Sequence, residues 1–219
     1  MEEKTANPYL ELADWRRRVT AHYATWRAAS GIDPGSATAA FRVARDELFR
    51  NHPQSPLPPG ERATFSDLPY WPYDQRYRME VRLETEPGLA PPEEYLAGPE
   101  ALPESGPTGL RFRRIGRVAL SGPLAGATLA VYWVDAYGGG LFLPFRDATS
   151  GRETYPAGRY LLDTVKGADT GVDAARGLLL LDFNMAYHPS CAYDPRWACP
   201  LAPPEARLPL PVEAGERLR

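Results

Sequence analysis

The chain is poor in cysteine and histidine, with two of the first and three of the second among 219 residues. That scarcity leaves little material for a metal centre built on thiolates and imidazoles. Long apolar runs are missing as well. The longest, "GLLLLDF", is of strand size, far short of the ~18 residues of a membrane-spanning helix. The opening "MEEKTANPYL" is acidic and polar and lacks the apolar stretch of a secretory leader. A cytoplasmic location without a membrane partner is therefore expected. Charge of one sign is also lacking. Lys and Arg number 25 against 28 Asp and Glu, a net −3 mixed along the chain, which disfavours nucleic acid as a partner. The short basic stretch "WRRRV" is framed by Trp15 and Val19 at core spacing and reads as the solvated face of a helix. Motifs that announce an activity are missing too: no glycine-rich phosphate loop, no Gly-x-Ser-x-Gly and no His-Glu-x-x-His.

Proline and glycine are abundant instead, 24 and 19 residues clustered in connectors, which favours a loop-rich β body over a helical bundle. With 43% hydrophobic residues the chain can bury a sizeable core. Residues 1–50 read as two helices packed on the body. Asn7 can cap the first, Pro8 suits its first turn, and Leu12, Trp15, Val19, Tyr23 and Trp26 make one apolar stripe. Asp33 or Ser36 can cap the second, whose buried face is Phe41, Ala44 and Leu48. Residues 51–76 are too rich in proline for regular structure yet carry Phe65, Tyr70, Trp71 and Tyr73, so an ordered strap is expected. From residue 77 to 219 the period is two. "YRMEVRLE", "LRFRRI", "GRVALSG", "ATLAVYWVDA", "GLFLPFRD" and "RGLLLLDF" read as strands, with an acidic, proline-rich, mobile loop expected at 87–107. The fold class is mainly β, α+β overall: an antiparallel β-barrel or curled β-sandwich with two N-terminal helices, in one compact unit.

Both cysteines fall in "LDFNMAYHPSCAYDPRWACPLAPPEARLP". Cys191 and Cys199 are too far apart for ordinary zinc pairing; His188 with Asp194 or Glu205 would have to complete a site. A disulfide would contribute about 2.6 kcal/mol through loop entropy. A catalytic thiol would need His188 as its base. Two reduced thiols packed under a proline-rich clasp are the reading a cytoplasmic setting favours. A second cluster, "RDATSGRETY", is dense in hydrogen-bond donors, and a few of these converging with backbone amides of a Ser-Gly turn could hold a carboxylate or phosphate. His22 reads as a helix-surface or core-edge residue, and His52 as a partner of a helix C-terminus.

"PFRDATSGRETYPAGRYL" and the long C-terminal motif resemble the bacterial and archaeal family called domain of unknown function 1684. "RDELFRNHPQSPL" and "YWPYDQRYR" are similar to it too, so the resemblance runs from about residue 42 to the C-terminus. The family's C-terminal pattern falls on Asn184, Ala186-Tyr187, Cys191, Cys199-Pro200 and Pro203-Pro204-Glu205. The chain departs from it at Ala206 and at His188, where relatives often carry asparagine. The resemblance implies a location for a site and no chemistry. Some relatives look secreted or lipid-anchored, and a disulfide would suit those.

The function expected from these residues is binding of a small molecule, with or without catalysis, between residues 145–160 and 184–205. Arg146, Tyr155, Arg159, Asn184 and Tyr187 would supply the polar contacts. A flavin- or pyridoxal-type phosphate is one ligand suggested by fold analogy. Asn184, Tyr187 and Arg159 are expected to meet in a polar cradle at the barrel mouth, because an amide ending an apolar strand must find partners. The alternative is a non-enzymatic interaction module whose C-terminal motif is a folding clasp. Cofactor, substrate and oligomeric state stay open at this stage.

Overall fold

A computed structural model describes residues 7–89, 111–135 and 138–218. The loop expected at 87–107 lies, from residue 90 onward, outside the described residues. The chain begins with helices α1 (Pro8–Ser30) and α2 (Pro34–Asn51). Asn7 Oδ1 accepts from the amides of Tyr9 and Leu10 at 3.1 and 3.3 Å, and Pro8 occupies the first turn, where its missing N–H costs nothing. Of the two caps offered to α2, Asp33 serves, accepting from the Ser36 amide at 3.0 Å. Tyr23 and Trp26 of α1 bury against Phe41 of α2, and Trp26 Nε1–H donates to Thr38 Oγ1 at 3.0 Å. Arg16, Arg17 and Arg18 are exposed, the solvated face that their spacing implies.

The strap that follows is not irregular throughout. Pro59–Arg62 form one helical turn, α3, with Pro59 in the first-turn position that proline tolerates. Leu57, Phe65 and Leu68 pack with Phe49 of α2 and tie the strap to the hairpin.

Among the described residues, seven strands make one antiparallel sheet that curls into a half-barrel: β1 (Arg78–Thr85), β2 (Phe112–Ala119), β3 (Thr128–Val134), β4 (Gly140–Phe145), β5 (Arg159–Asp163), β6 (Val172–Asp173) and β7 (Leu178–Asp182). Their order is β5-β4-β3-β2-β1-β7-β6. The first five form a meander, and the β6–β7 hairpin then adds at the other edge, beside β1. Irregular register between Arg114 and Gly116, and between Leu143 and Pro144, supplies bends of the kind that let a sheet curl. "LRFRRI" and "GRVALSG", which read as two strands, are therefore one strand bent at Gly116. A Cβ there would stand 2.3 Å from the Glu84 carbonyl oxygen. Across the gap in the curl, Tyr160 of β5 and Tyr187 beyond β7 exchange both backbone hydrogen bonds, at 2.9 and 3.0 Å.

"GLLLLDF" is β7, one place from the sheet edge rather than at its centre. Its unbroken apolar character has a different cause: Leu179 and Leu181 face the half-barrel core, while Leu180 packs under the α1–α2 hairpin. The core holds Val118, Leu129, Val131, Leu143, Phe145 and Leu161, joined by Leu208, Val212 and Ala214 from the C-terminal segment. Among the described residues no helix is long and apolar enough to cross a membrane.

Candidate functional site

The donors of "RDATSGRETY" do converge on a carboxylate, and it is the protein's own. Asp147 Oδ2 accepts from Thr149 Oγ1 at 2.8 Å and from the amides of Thr149 and Val212 at 3.2 and 2.8 Å. Its Oδ1 faces Ser150 Oγ at 3.3 Å and the Arg159 guanidinium at 3.4 Å. Arg159 is fully buried between the rings of Trp71 and Phe145, and it also donates to the carbonyls of Val212, Ala214 and Glu216. Burial, only partly offset by Asp147, pushes its guanidinium down to about 10. Asn184 is engaged likewise. Its Nδ2–H groups go to the Asp74 carbonyl and Asp182 Oδ1, and its Oδ1 accepts from the Asp74 amide at 2.9 Å. Arg159 thus clamps the C-terminal segment and Asn184 clamps the strap, and the two share no hydrogen-bond partner. Arg146 is half-buried, pairs through its backbone with Ala206 and Leu208, and borders a different face.

Tyr187 belongs elsewhere. With Tyr23, Phe41, Phe49, Tyr160 and Tyr193 it walls a cavity of about 90 Å³ between the α1–α2 hairpin, the end of β5 and the chain beyond β7. The polar residues on its lining are His22, Arg45, Asp163, Lys166, His188 and Ser190. A larger groove, about 480 Å³, runs along the outer side of the hairpin; it is open, and Asp14 and His52 on its floor already pair with each other.

The charges of the cavity balance inside the protein. Arg45 donates to Glu216 Oε2 at 2.9 Å and to Tyr70 Oη at 2.6 Å, with its guanidinium over the Phe49 ring. Lys166 lies 3.7 Å from Asp163. Burial raises the Asp163 carboxyl above its ordinary range, with Lys166 pulling the other way. Glu216 is fully buried; burial opposes its ionisation, but Arg45 and the other donors around it hold the carboxyl down at about 2. His188 Nε2 accepts from the Tyr155 amide at 3.2 Å, which assigns the proton to Nδ1, and that nitrogen faces Glu216 Oε1 at 3.5 Å. Burial lowers His22. The hydroxyls of Tyr23 and Tyr187 have no hydrogen-bond partner among the described residues, and neither is sealed from solvent.

Both cysteines are free thiols. Cys199 is buried and Cys191 half-buried. Asp194 turns to Arg196, and among the described residues no three His, Cys, Asp or Glu side chains are grouped to hold a metal ion.

The family described as "Protein of unknown function (DUF1684)" matches residues 63–217. This chain belongs to it. The DUF1684 match begins about twenty residues later than the resemblance in the sequence, so it covers the second half of the strap, the half-barrel and the C-terminal segment but none of α1, α2 and α3. The chain is also similar to the solution NMR structure of an uncharacterised protein of Haloarcula marismortui. The two are 30% identical with a TM-score of 0.55, over 84% of this chain and 93% of that one. No curated protein matches.

Of the cavity residues of this DUF1684 chain, His22 is half-buried beside the α1 stripe, three residues beyond Val19 and seven beyond Trp15, in line with its core-edge reading, whereas Arg45 escaped the sequence reading although a signal was present. Arg45 is four beyond Phe41, in phase with the buried face of α2. Glu216 left no local signal, since its partner Arg45 is 171 residues away.

Proposed function

We propose that this DUF1684 protein binds a small, uncharged, ring-sized molecule in the aromatic cavity under the α1–α2 hairpin. The observation that carries the reading is the pair of phenol hydroxyls, Tyr23 and Tyr187, that line the cavity without a protein partner. Neither hydroxyl is sealed from solvent, and a ligand that hydrogen-bonds there takes the place of water. The cavity is smaller than the ~150 Å³ that admits benzene in an engineered apolar void, so the occupant is small or opens the hairpin slightly. Its two nearest cations are paired, Arg45 with Glu216 and Lys166 with Asp163, which favours a neutral ligand over a phosphorylated cofactor. Ligand-observed NMR tests this with single-ring phenols and benzamides beside their phosphorylated counterparts. The neutral compounds are expected to show saturation transfer with the wild type. The signal should disappear in the Tyr23→Phe/Tyr187→Phe double variant at an unchanged melting temperature. Silence from every neutral compound with the wild-type protein would overturn the reading.

The folding-clasp reading of the C-terminal motif is favoured by a separate observation: Arg159 and Asn184 direct their donors to the chain's own carbonyls and carboxylates. The two readings concern different residues and are compatible. The motif holds the fold, and the cavity lies beside it.

A further inference from the structure

The cysteine loop takes no part in the ligand reading, and its geometry is specific. Cys191 and Cys199 sit at its two ends, two residues after Pro189 and immediately before Pro200. The loop is anchored at several points. Tyr160 O–H donates to the Pro200 carbonyl, Trp197 Nε1–H to the Pro56 carbonyl at 3.2 Å, and Arg196 to the Ser55 carbonyl at 3.3 Å. Anchoring brings the sulfurs together without a bond. The Cys191 amide donates to Cys199 Sγ at 3.3 Å, which holds the second sulfur against the first cysteine. Access is unequal: Cys199 is 5% exposed, whereas Cys191 is half-buried and can be reached from solvent.

We propose that Cys191 and Cys199 form a thiol–disulfide exchange site for small disulfides, with Cys191 attacking and Cys199 resolving. Exposure divides the roles: Cys191 can be reached from solvent, and Cys199 is buried behind it. The Cys199 thiol and Tyr155 lower Cys191 against the opposing effect of burial. The neighbouring Cys191, together with burial, pushes Cys199 up. The directions agree with the exposures, since the thiolate is the nucleophilic form.

The Cys191 thiolate attacks one sulfur of the incoming disulfide. The old S–S bond breaks, and one thiolate departs with the electron pair, leaving a mixed disulfide on Cys191. Cys199 then loses its proton to the departing group or to water and attacks Cys191 Sγ. A second thiolate leaves, and the Cys191–Cys199 disulfide forms. Two protein thiols are oxidised and one small disulfide is reduced to two thiols. This site does not depend on the cavity being occupied.

The test uses the full chain with oxidised glutathione as probe, acid quenching, alkylation of the remaining thiols and mass spectrometry. The wild type is expected to end as an internal disulfide that carries no glutathione and is reopened by dithiothreitol. Cys199→Ser should accumulate glutathione on Cys191. Cys191→Ser should react at least about tenfold more slowly at Cys199, as a buried protonated thiol does. Melting temperatures of the reduced variants confirm that each is folded. Three outcomes would each overturn the proposal: two free thiols persisting in the wild type, glutathione retained on wild-type Cys191, or equal reaction rates in the two serine variants.

Discussion

Glu216 shows how much a single side chain can organise. Its carboxylate receives the Arg45 guanidinium at 2.9 Å, the His188 amide at 3.1 Å and the Tyr193 phenol, and so joins α2, the chain beyond β7 and the cysteine loop. Its folded pKa, about 2, lies below the ordinary 4.5. A depressed carboxyl stabilises the fold above its unfolded value and loses that contribution as the pH falls through the folded one. The window is therefore about pH 5 down to 2. Glu216→Gln should be less stable than wild type at neutral pH, by about 3 kcal/mol. That gap should narrow steadily between pH 5 and pH 2 in urea titrations; a gap that stays constant with pH would deny the ionic role. The sequence could not supply this residue, because the partners of Glu216 are far away along the chain. It did supply Asn184: an amide that ends an apolar run has to be bonded, and it is, although to Asp74 and Asp182 rather than in a cradle with Arg159.

At the level of elements, β1 is legible by its alternation, because one of its faces is wet, whereas β3 and β4, buried at nearly every position, are legible as apolar and aromatic runs bounded by turn residues. The segment "RYLLD" of β5 was not named as a strand. It is buried at every position, so no period shows, and its pairing with β4 is irregular. What positions β5 is Gly158. Its φ is +98°, and a Cβ would stand 2.3 Å from the Phe145 carbonyl oxygen, so β4 and β5 can meet only over a glycine. Gly158→Ala should lower stability by about 2 kcal/mol or more, from left-handed strain plus the clash. Gly151→Ala is the control. Its φ of +85° carries the same kind of strain, yet the nearest atom is 4.0 Å away, so it should lose only about 1 kcal/mol. Equal shifts in the denaturation midpoints of the two variants would show that close approach is not what Gly158 provides.

For the whole molecule, the sequence indicated helices on a curled antiparallel sheet but not how the curl is filled. The tail "ARLPLPVEAGER" looks like a connector because its prolines interrupt any period. In the structure it is part of the core. Leu208, Val212 and Ala214 are buried inside the half-barrel. Ala206 and Leu208 pair with the Arg146 backbone at 2.9 and 2.7 Å, the Trp71 amide donates to the Gly215 carbonyl at 3.0 Å, and the Glu216 amide donates to the Ala186 carbonyl at 2.9 Å. The tail therefore joins β4, the strap and the chain beyond β7, which no two neighbouring elements do by themselves. Deleting residues 207–219 would empty part of the core and strip Arg159 of its three carbonyl partners and Asp147 of the Val212 amide. Leaving a buried charge without its partners costs about 3–5 kcal/mol, and several lost apolar side chains add to that. The sum is comparable with the 5–15 kcal/mol that typically separates folded from unfolded chains. The truncated protein should thus lose its cooperative thermal transition and its near-ultraviolet dichroism while binding a hydrophobic dye, the signs of a collapsed chain without fixed packing. A truncated protein that still melts cooperatively within a few degrees of the full chain would mean that the half-barrel packs by itself and the tail is only a cover.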